Sequence, residues 1–167
     1  MPPTTLNETI ERQALYTSAT FLANLKDITD AEALQQPDTG GNSLNWVAGH
    51  VVLYRITHLG MLGGESPVSR EKYARYQRQS EPVTAEGEGV LALGEMIEDW
   101  VALRQPFFTA IRAADTPILE KAAAFSPLND PEETVGSLAA GLLFHESYHI
   151  GQLGILRRLV GKDGAIR

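Results

Sequence analysis

The chain contains no cysteine among its 167 residues. This absence excludes disulfide bonds, thiolate metal ligands and a cysteine nucleophile, and it leaves histidine and carboxylate as the only strong metal ligands. No apolar run approaches the roughly 20 residues that span a bilayer. The opening MPPTTLNETIERQ lacks the basic and apolar regions of a signal peptide. We therefore expect a cytoplasmic protein that does not bind membranes.

Positive charge is also scarce. The 14 lysines and arginines stand against 21 aspartates and glutamates, which gives a formal net charge of −7. An acidic chain repels the phosphate backbone of nucleic acids, so we expect no nucleic-acid partner. The length suits one domain with a substantial core, and residues 1–167 are predicted to form that single domain.

Alternating, strand-like patterns are absent too, and helical periodicity replaces them. Apolar residues that recur every three or four positions predict four long helices, over the ranges 6–34, 44–62, 89–114 and 132–160. Pro106 is expected to kink or end the third of these helices.

An irregular stretch, residues 63–87, joins the second and third long helices and has room for a short helix over 71–79. Four long helices with one extended connection are typical of a helical bundle. The predicted fold is therefore all-α, a four-helix bundle with a long crossover between helices 2 and 3.

Three histidines carry the chemical signal. His145 and His149 are one helical turn apart, about 40° around the axis and roughly 6 Å along it, so both imidazoles can reach one ion. His50, on another predicted helix, would complete a set of three nitrogens and leave coordination positions open. The set predicts a metal site, although each histidine taken alone is more often a satisfied core residue.

The last helix places two of these histidines on an inward seam. The residues reached by steps of three and four from Val135 to Leu159 form one face of the helix. They are apolar except for His145, His149 and Gln152 in the middle. We expect these three side chains to point inward, where an unpartnered polar group costs about 1–3 kcal/mol. A metal ion or a hydrogen-bond network would offset that cost.

The fourth histidine, His58, follows His50 by eight residues. That spacing is roughly 80° around a helix and 12 Å along it, too far for both to bind one ion. We expect His58 to be a partly exposed helix residue.

The segment HESYH also matches the H-E-x-x-H motif of zinc metalloproteases, with Glu146 as the general base. The residues after His149, IGQLGILRR, contain no third histidine, and no glutamate follows them. We interpret the match as a coincidence of helical spacing and do not predict a protease.

Two segments, NWVAGHVV and HESYHIGQLGILRRLVG, resemble the DinB-like family of four-helix-bundle metalloproteins. The first matches the family's W-x-x-x-H piece through Trp46 and His50. The second matches through His145, His149, Gly151, Gln152 and Arg157. The resemblance implies that His50, His145 and His149 bind one divalent ion, with zinc and nickel as typical choices.

The better-understood relatives in this family are thiol-dependent enzymes, among them maleylpyruvate isomerase-like proteins and thiol S-transferases. The resemblance therefore implies that the ion activates a low-molecular-weight thiol (mycothiol, bacillithiol or glutathione) for transfer to, or isomerisation of, a small electrophile. Two alternatives stay open. One is a hydrolase in which the metal supplies hydroxide, and the other is a non-enzymatic, dimeric metal-binding stress protein.

Three further side chains are candidate catalytic residues, either orienting a ligand or relaying a proton. Glu146 lies beside the last-helix ligands in sequence, Tyr54 is one turn beyond His50, and Gln152 shares the seam. Ordinary packing or a solvated helix face is the alternative for each.

A basic island, residues 70–78, interrupts the acidic chain. Thiol cofactors carry carboxylates or sugar hydroxyls, so Arg70, Arg75 and Arg78 are the predicted substrate-binding residues, in a segment that could close over the bundle. A solvated surface helix is the alternative.

Four glycines interrupt the last helix, at positions 136, 141, 151 and 154. Each costs roughly 1 kcal/mol relative to alanine in a helix interior, and small residues permit close backbone approach. Family members are often dimers, and a homodimer is predicted here.

Overall fold

The structure is a computed structural model that describes residues 5–166. In this part of the chain the only regular secondary structure is helical, apart from a single β-bridge between Ala122 and Thr134. The elements are α1 (Leu6–Leu25), α2 (Asp30–Ala33), α3 (Leu44–Met61), a 3₁₀ helix (Glu71–Tyr76), α4 (Leu93–Ala113), α5 (Thr116–Leu119) and α6 (Val135–Leu159). The all-α prediction is confirmed.

Polar side chains fix where the site-bearing helices begin. The side chain of Ser43 accepts a hydrogen bond from the Trp46 backbone N–H and starts α3. Thr134 and Ser137 form a capping box that starts α6. Each cap satisfies backbone N–H groups that have no partner within the helix, so the two helices begin at defined residues.

The predicted first helix, over 6–34, is too long. The helix ends at Leu25 because Asp27 adopts a left-handed conformation, with φ 59°. A separate capping box at Thr29 then starts α2. The periodic pattern continued across the break because Ile28 and Leu34 still pack against the core.

Pro106 does not end α4, since the helix continues to Ala113. A proline removes the hydrogen bond to the carbonyl four residues earlier. Here that residue, Ala102, is exposed, so water can bond to its carbonyl. The predicted starts of the third and fourth long helices, at 89 and 132, lie a few residues before the observed starts.

The four long helices surround one core. Both α1 and α3 contact α4 and α6, and the aromatic rings of Phe21 and Trp100 stack between α1 and α4 with centroids 4.2 Å apart. None of the helices in residues 5–166 is both long enough and apolar enough to cross a membrane.

The connection between α3 and α4 lies against α3 through the 3₁₀ helix. Two of its tyrosines, Tyr73 and Tyr76, are fully buried. The Tyr76 ring lies where the Cβ of any other residue at position 49 would be, because a Cβ built on Gly49 would come within 2.4 Å of the ring. The glycine therefore allows this close approach.

The expectation that His58 is partly exposed was wrong. Its side chain is buried and meets the Phe107 ring edge-on, with centroids 4.8 Å apart. His58 lies at the edge of the inward face of α3. That edge is covered as well, because α4, α6 and the 3₁₀ helix all lie against α3. Burial, with a smaller effect from the charge of Arg55, lowers the pKa of His58 to about 3.

Candidate metal centre

His50 on α3 and the pair His145 and His149 on α6 meet between the two helices. The Nε2 atom of His145 lies 3.3 Å from Nε2 of His50 and 3.1 Å from Nε2 of His149. Tetrahedral coordination with metal–nitrogen bonds of 2.0–2.1 Å separates neighbouring nitrogens by about 3.3 Å. Two of the three separations therefore match those between ligands of one ion, and the candidate ligand atoms all lie within 4.8 Å of one another.

His50 is held by the segment that joins α3 to α4. Its Nδ1–H donates to the backbone carbonyl of Tyr76 at 2.8 Å. The Trp46 ring stacks on the imidazole, with centroids 4.6 Å apart and planes 17° apart. A carbonyl can only accept, so Nδ1 must carry the proton and Nε2 presents its lone pair to the site.

His149 is fixed in the same way by Gln152, one turn further along α6. The carbonyl oxygen of Gln152 lies 2.7 Å from Nδ1, which places the proton on Nδ1 and the lone pair on Nε2. Tyr54 lies against both His50 and His145, with ring centroids 4.6 and 4.5 Å away.

The three imidazoles are neutral near pH 7. Burial lowers the pKa of His50 to about 4 and that of His145 to about 3, with a smaller contribution from the neighbouring imidazoles. Burial also lowers the pKa of His149. Neutral imidazole is the form that binds metal ions, so the environment holds all three side chains ready for coordination.

Without a cation, the cluster cannot satisfy itself. His50 and His149 both direct an Nε2 lone pair at His145, which can donate a proton to only one of them. The remaining lone pair would be left facing another acceptor, at a cost of about 1–3 kcal/mol for a buried group. A divalent cation accepts all three lone pairs, so the donor set fits a metal ion.

The seam on α6 is rotated from its predicted orientation. Around the histidines, the buried residues of α6 each follow a predicted seam residue by one position: Glu146, Ile150 and Leu153. The predicted seam residues His145, His149 and Gln152 are half-buried. The histidines therefore flank the core face rather than lying at its centre. This position leaves one side of the cluster near the surface.

Of the predicted catalytic residues, Gln152 and Tyr54 contact the histidines and Glu146 does not. The Glu146 carboxylate accepts two hydrogen bonds from Arg55, at 2.7 and 2.5 Å, in the core. The Glu146 side chain is thus directed to Arg55 rather than to the imidazoles. Its role as an acid or base stays a prediction.

The three predicted substrate-binding arginines lie in different surroundings. Arg75 donates to the carbonyls of Glu81 and Pro82, at 2.6 and 3.0 Å. Arg70 is exposed at the start of the 3₁₀ helix. Arg78 is exposed, and its charge makes a minor contribution to lowering the pKa of His145.

Two residues that the sequence pattern did not single out complete the surroundings of the site. Tyr76 acts through its backbone carbonyl, a group that every residue type has and that the sequence therefore cannot single out. Arg55 could have been found, because it is the only lysine, arginine, aspartate or glutamate in α3, and Glu146 is the only carboxylate in α6. The single charged residue of α3 and the single carboxylate of α6 predict an ion pair between the two helices.

The fold and the cluster together define a class: an all-α protein in which three convergent, neutral imidazoles on two helices could hold a metal ion. Residues 13–153 match the model of the DinB superfamily. The chain belongs to that superfamily, as the two histidine segments predicted. A comparison with functionally curated proteins gives no match.

Proposed function

We propose that this protein is a metal-dependent enzyme in which His50, His145 and His149 bind one divalent ion, zinc or nickel, that activates a low-molecular-weight thiol. The observation that supports the metal is the convergence of three Nε2 atoms at 3.1 and 3.3 Å, two of them with their proton fixed on Nδ1. The activated thiol would be transferred to a small electrophile or would isomerise it.

The ion would supply Lewis acidity, lowering the pKa of a bound thiol so that the thiolate forms near neutral pH. The sulfur must come from outside, because the chain has no cysteine. Three protein ligands would leave a coordination position open for that thiol. Because His145 and His149 are half-buried while His50 is buried, the side of the cluster formed by α6 would be the one that a small molecule reaches.

The surrounding side chains would hold the ligands and handle protons. We assign Gln152 to orienting His149, because its carbonyl oxygen already holds Nδ1. Tyr54, in contact with both His50 and His145, has a hydroxyl suited to donating a hydrogen bond to a bound ligand. Glu146 is assigned to positioning, as argued below.

Arg78 is the proposed anchor for an anionic group of the substrate, and Arg70 would add charge at the edge of the site. The segment around Arg78 is attached to α3 on both sides, because the Tyr76 carbonyl binds His50 and Ser80 accepts from the Trp46 indole at 2.8 Å. Arg78 makes no hydrogen bond or ion pair within residues 5–166, so its guanidinium is available for a carboxylate.

We further propose a single domain over 1–167, built as a four-helix bundle with its long crossover between α3 and α4. A homodimer is proposed through α6, where apolar side chains at steps of four and seven residues are exposed: Phe144, Tyr148, Ile155 and Leu159. Ile155→Asp should then shift the protein to monomer in sedimentation velocity. A cytoplasmic location stays a prediction from the sequence.

The first experiment is elemental analysis of tag-free protein. One equivalent of zinc or nickel in the wild type, lost in His149→Ala, would support the site. His58→Leu is the matched control, because it removes the one histidine outside the cluster and should keep full metal content. A wild type that neither contains nor takes up zinc or nickel would refute the proposal.

Substrate screening then separates the enzymatic possibilities. Turnover of electrophiles that requires mycothiol, bacillithiol or glutathione would support the proposed transferase or isomerase. Turnover of esters or amides without thiol would instead indicate a hydrolase. A metal-loaded protein that alters none of these substrates would favour a non-enzymatic metal-binding protein.

A further inference from the structure

A buried ion pair lies beside the histidine cluster and joins the same two helices. Arg55 on α3 donates from Nε to Glu146 Oε2 at 2.7 Å and from Nη2 to Oε1 at 2.5 Å. Neither side chain is open to solvent, with exposures of 0% and 4%. The pair is bidentate, so it fixes both the distance and the relative orientation of the two planar groups.

The other two long helices also hold the guanidinium. It lies between two rings of α4, with its carbon 4.0 Å from the Trp100 centroid and 4.2 Å from the Phe107 centroid. Ser18 and Thr17 of α1 accept further hydrogen bonds from it, at 3.2 and 3.4 Å. The Arg55 side chain therefore has contacts with all four long helices and has no freedom to reorient.

Stability alone does not explain such a pair. Removing two charges from water costs several kcal/mol per ion, and apolar side chains of similar volume often stabilise a core equally well or better. What apolar packing lacks is a directional contact that defines one rotation and one register of two helices. A bidentate pair supplies that contact.

The position of the pair in the sequence connects it to the ligands. Glu146 directly follows His145 and precedes His149 by three residues, and Arg55 follows His50 by five. A small rotation of α6 about its axis would move both of its histidines together relative to His50. The ion pair is the polar side-chain contact between α3 and α6 that opposes this rotation from inside the core.

We propose that Arg55 and Glu146 are positioning residues of the metal centre. Their bidentate pair sets the rotation and register of α6 against α3 and so holds the three Nε2 atoms at the separations that one ion requires. This inference rests on the proposed metal site. It assigns Glu146 a role in placing the ligands rather than in proton transfer.

The test uses the full-length chain and the double variant Arg55→Met/Glu146→Leu, which replaces the pair by apolar side chains of similar size. The variant is expected to stay folded, with a melting temperature at or above that of the metal-free wild type. Its zinc affinity, measured by competition with a chromophoric chelator, is expected to fall 10- to 100-fold. The visible spectrum of the Co²⁺-loaded variant is expected to change in shape, which a purely structural role would not produce.

A second bidentate pair, on the surface of the protein, provides a control. Arg112 and Glu11 also form a bidentate pair between two helices, with Nε to Oε2 at 2.9 Å, but they join α4 to α1, which carry no ligand. The variant Glu11→Gln/Arg112→Gln should retain the wild-type zinc affinity and Co²⁺ spectrum. Loss of affinity in this control as well would overturn the specific role of the Arg55–Glu146 pair.

A folded Arg55→Met/Glu146→Leu variant with wild-type zinc affinity and spectrum would also overturn the inference. If that variant does not fold, Glu146→Asp carries the test, because it keeps both charges but shortens the carboxylate arm by one methylene. Its zinc affinity should fall about tenfold, and unchanged affinity would overturn the inference. A wild type that binds no zinc would refute the proposed function, whereas wild-type binding with an unaffected variant refutes this inference alone.

Discussion

Replacing Gly49 by alanine should weaken a metal centre that position 49 does not touch. A Cβ at this position would lie 2.4 Å from Cγ and Cδ1 of Tyr76, whereas carbon atoms in contact stay about 3.5–4.0 Å apart. The ring must therefore move by about 1 Å. It cannot do so freely, because its hydroxyl donates to Asn45 Oδ1 at 3.0 Å and accepts from the Leu91 N–H at 2.8 Å.

The size of the effect follows from these contacts. Overpacking a buried site costs about 1–3 kcal/mol, and one broken hydrogen bond adds about 1 kcal/mol. The better helix propensity of alanine returns about 1 kcal/mol. Gly49→Ala should thus lower the free energy of unfolding by about 1–3 kcal/mol, which is a fall in melting temperature of roughly 2–4 °C per kcal/mol for a chain of this size.

Metal affinity should fall as well, because the Tyr76 carbonyl orients His50. Loss of such a hydrogen bond to a metal-binding histidine typically weakens binding 10- to 100-fold. Thermal unfolding of the metal-free protein and zinc competition titrations measure the two effects separately. Together they test whether the connection between α3 and α4 is part of the site.

Gly60→Ala is the control, because Gly60 is also in α3 but has no atom within 4 Å of its built Cβ. It should stabilise the protein by about 0.5–1 kcal/mol and leave zinc affinity unchanged. A Gly49→Ala protein with wild-type stability and affinity would refute the steric argument. Loss of stability with normal zinc affinity would show that Tyr76 does not orient His50.

Three further predictions follow from the site. Gln152→Ala should weaken zinc binding about tenfold with little change in unfolding temperature, since the side chain is half-buried and bonds to His149; equal affinity in the chelator competition would contradict this. The pKa of His58 is lowered from 6.5 to about 3 in the folded protein. Between pH 6.5 and pH 3 the imidazole is therefore protonated only in the unfolded state, and the free energy of unfolding falls as the pH falls through this range. His58→Leu should reduce the slope of unfolding free energy against pH by up to about 1.4 kcal/mol per unit, measured by urea denaturation at pH 4–6. Arg78→Ala should weaken binding of glutathione to the Co²⁺-loaded protein about tenfold, which corresponds to the loss of one charged hydrogen bond. Binding of uncharged 2-mercaptoethanol should be unchanged. An equal effect on both thiols would rule out Arg78 as an anchor for an anionic group.

The histidine cluster shows how much of a site local sequence can predict. An i, i+4 pair such as His145 and His149 faces one direction in any helix, because helical geometry is fixed by the backbone. The inward position of His50 followed from the apolar periodicity around it. The residues that hold these imidazoles were less accessible: Gln152 shares their helix and was found, whereas Tyr76 acts through a backbone carbonyl that all residue types possess.

The errors have a common physical origin. The end of α1 at Leu25 depends on one residue, Asp27, in a left-handed conformation, and the apolar pattern continued past it. His58 was expected at the edge of its helix, but three neighbouring elements cover that edge. Periodicity reports which face of a helix is apolar, and it does not report how many neighbours that face meets.

The sequence by itself determined the helical class, the superfamily and the three imidazoles, because each depends on spacing along one helix or on a short segment. Only the tertiary structure decided that Arg55 pairs with Glu146 and that the Tyr76 carbonyl reaches His50. Those contacts join residues far apart in the chain. They depend on the rotation of one helix against another and on the path of the crossover, which are set by packing of the whole core.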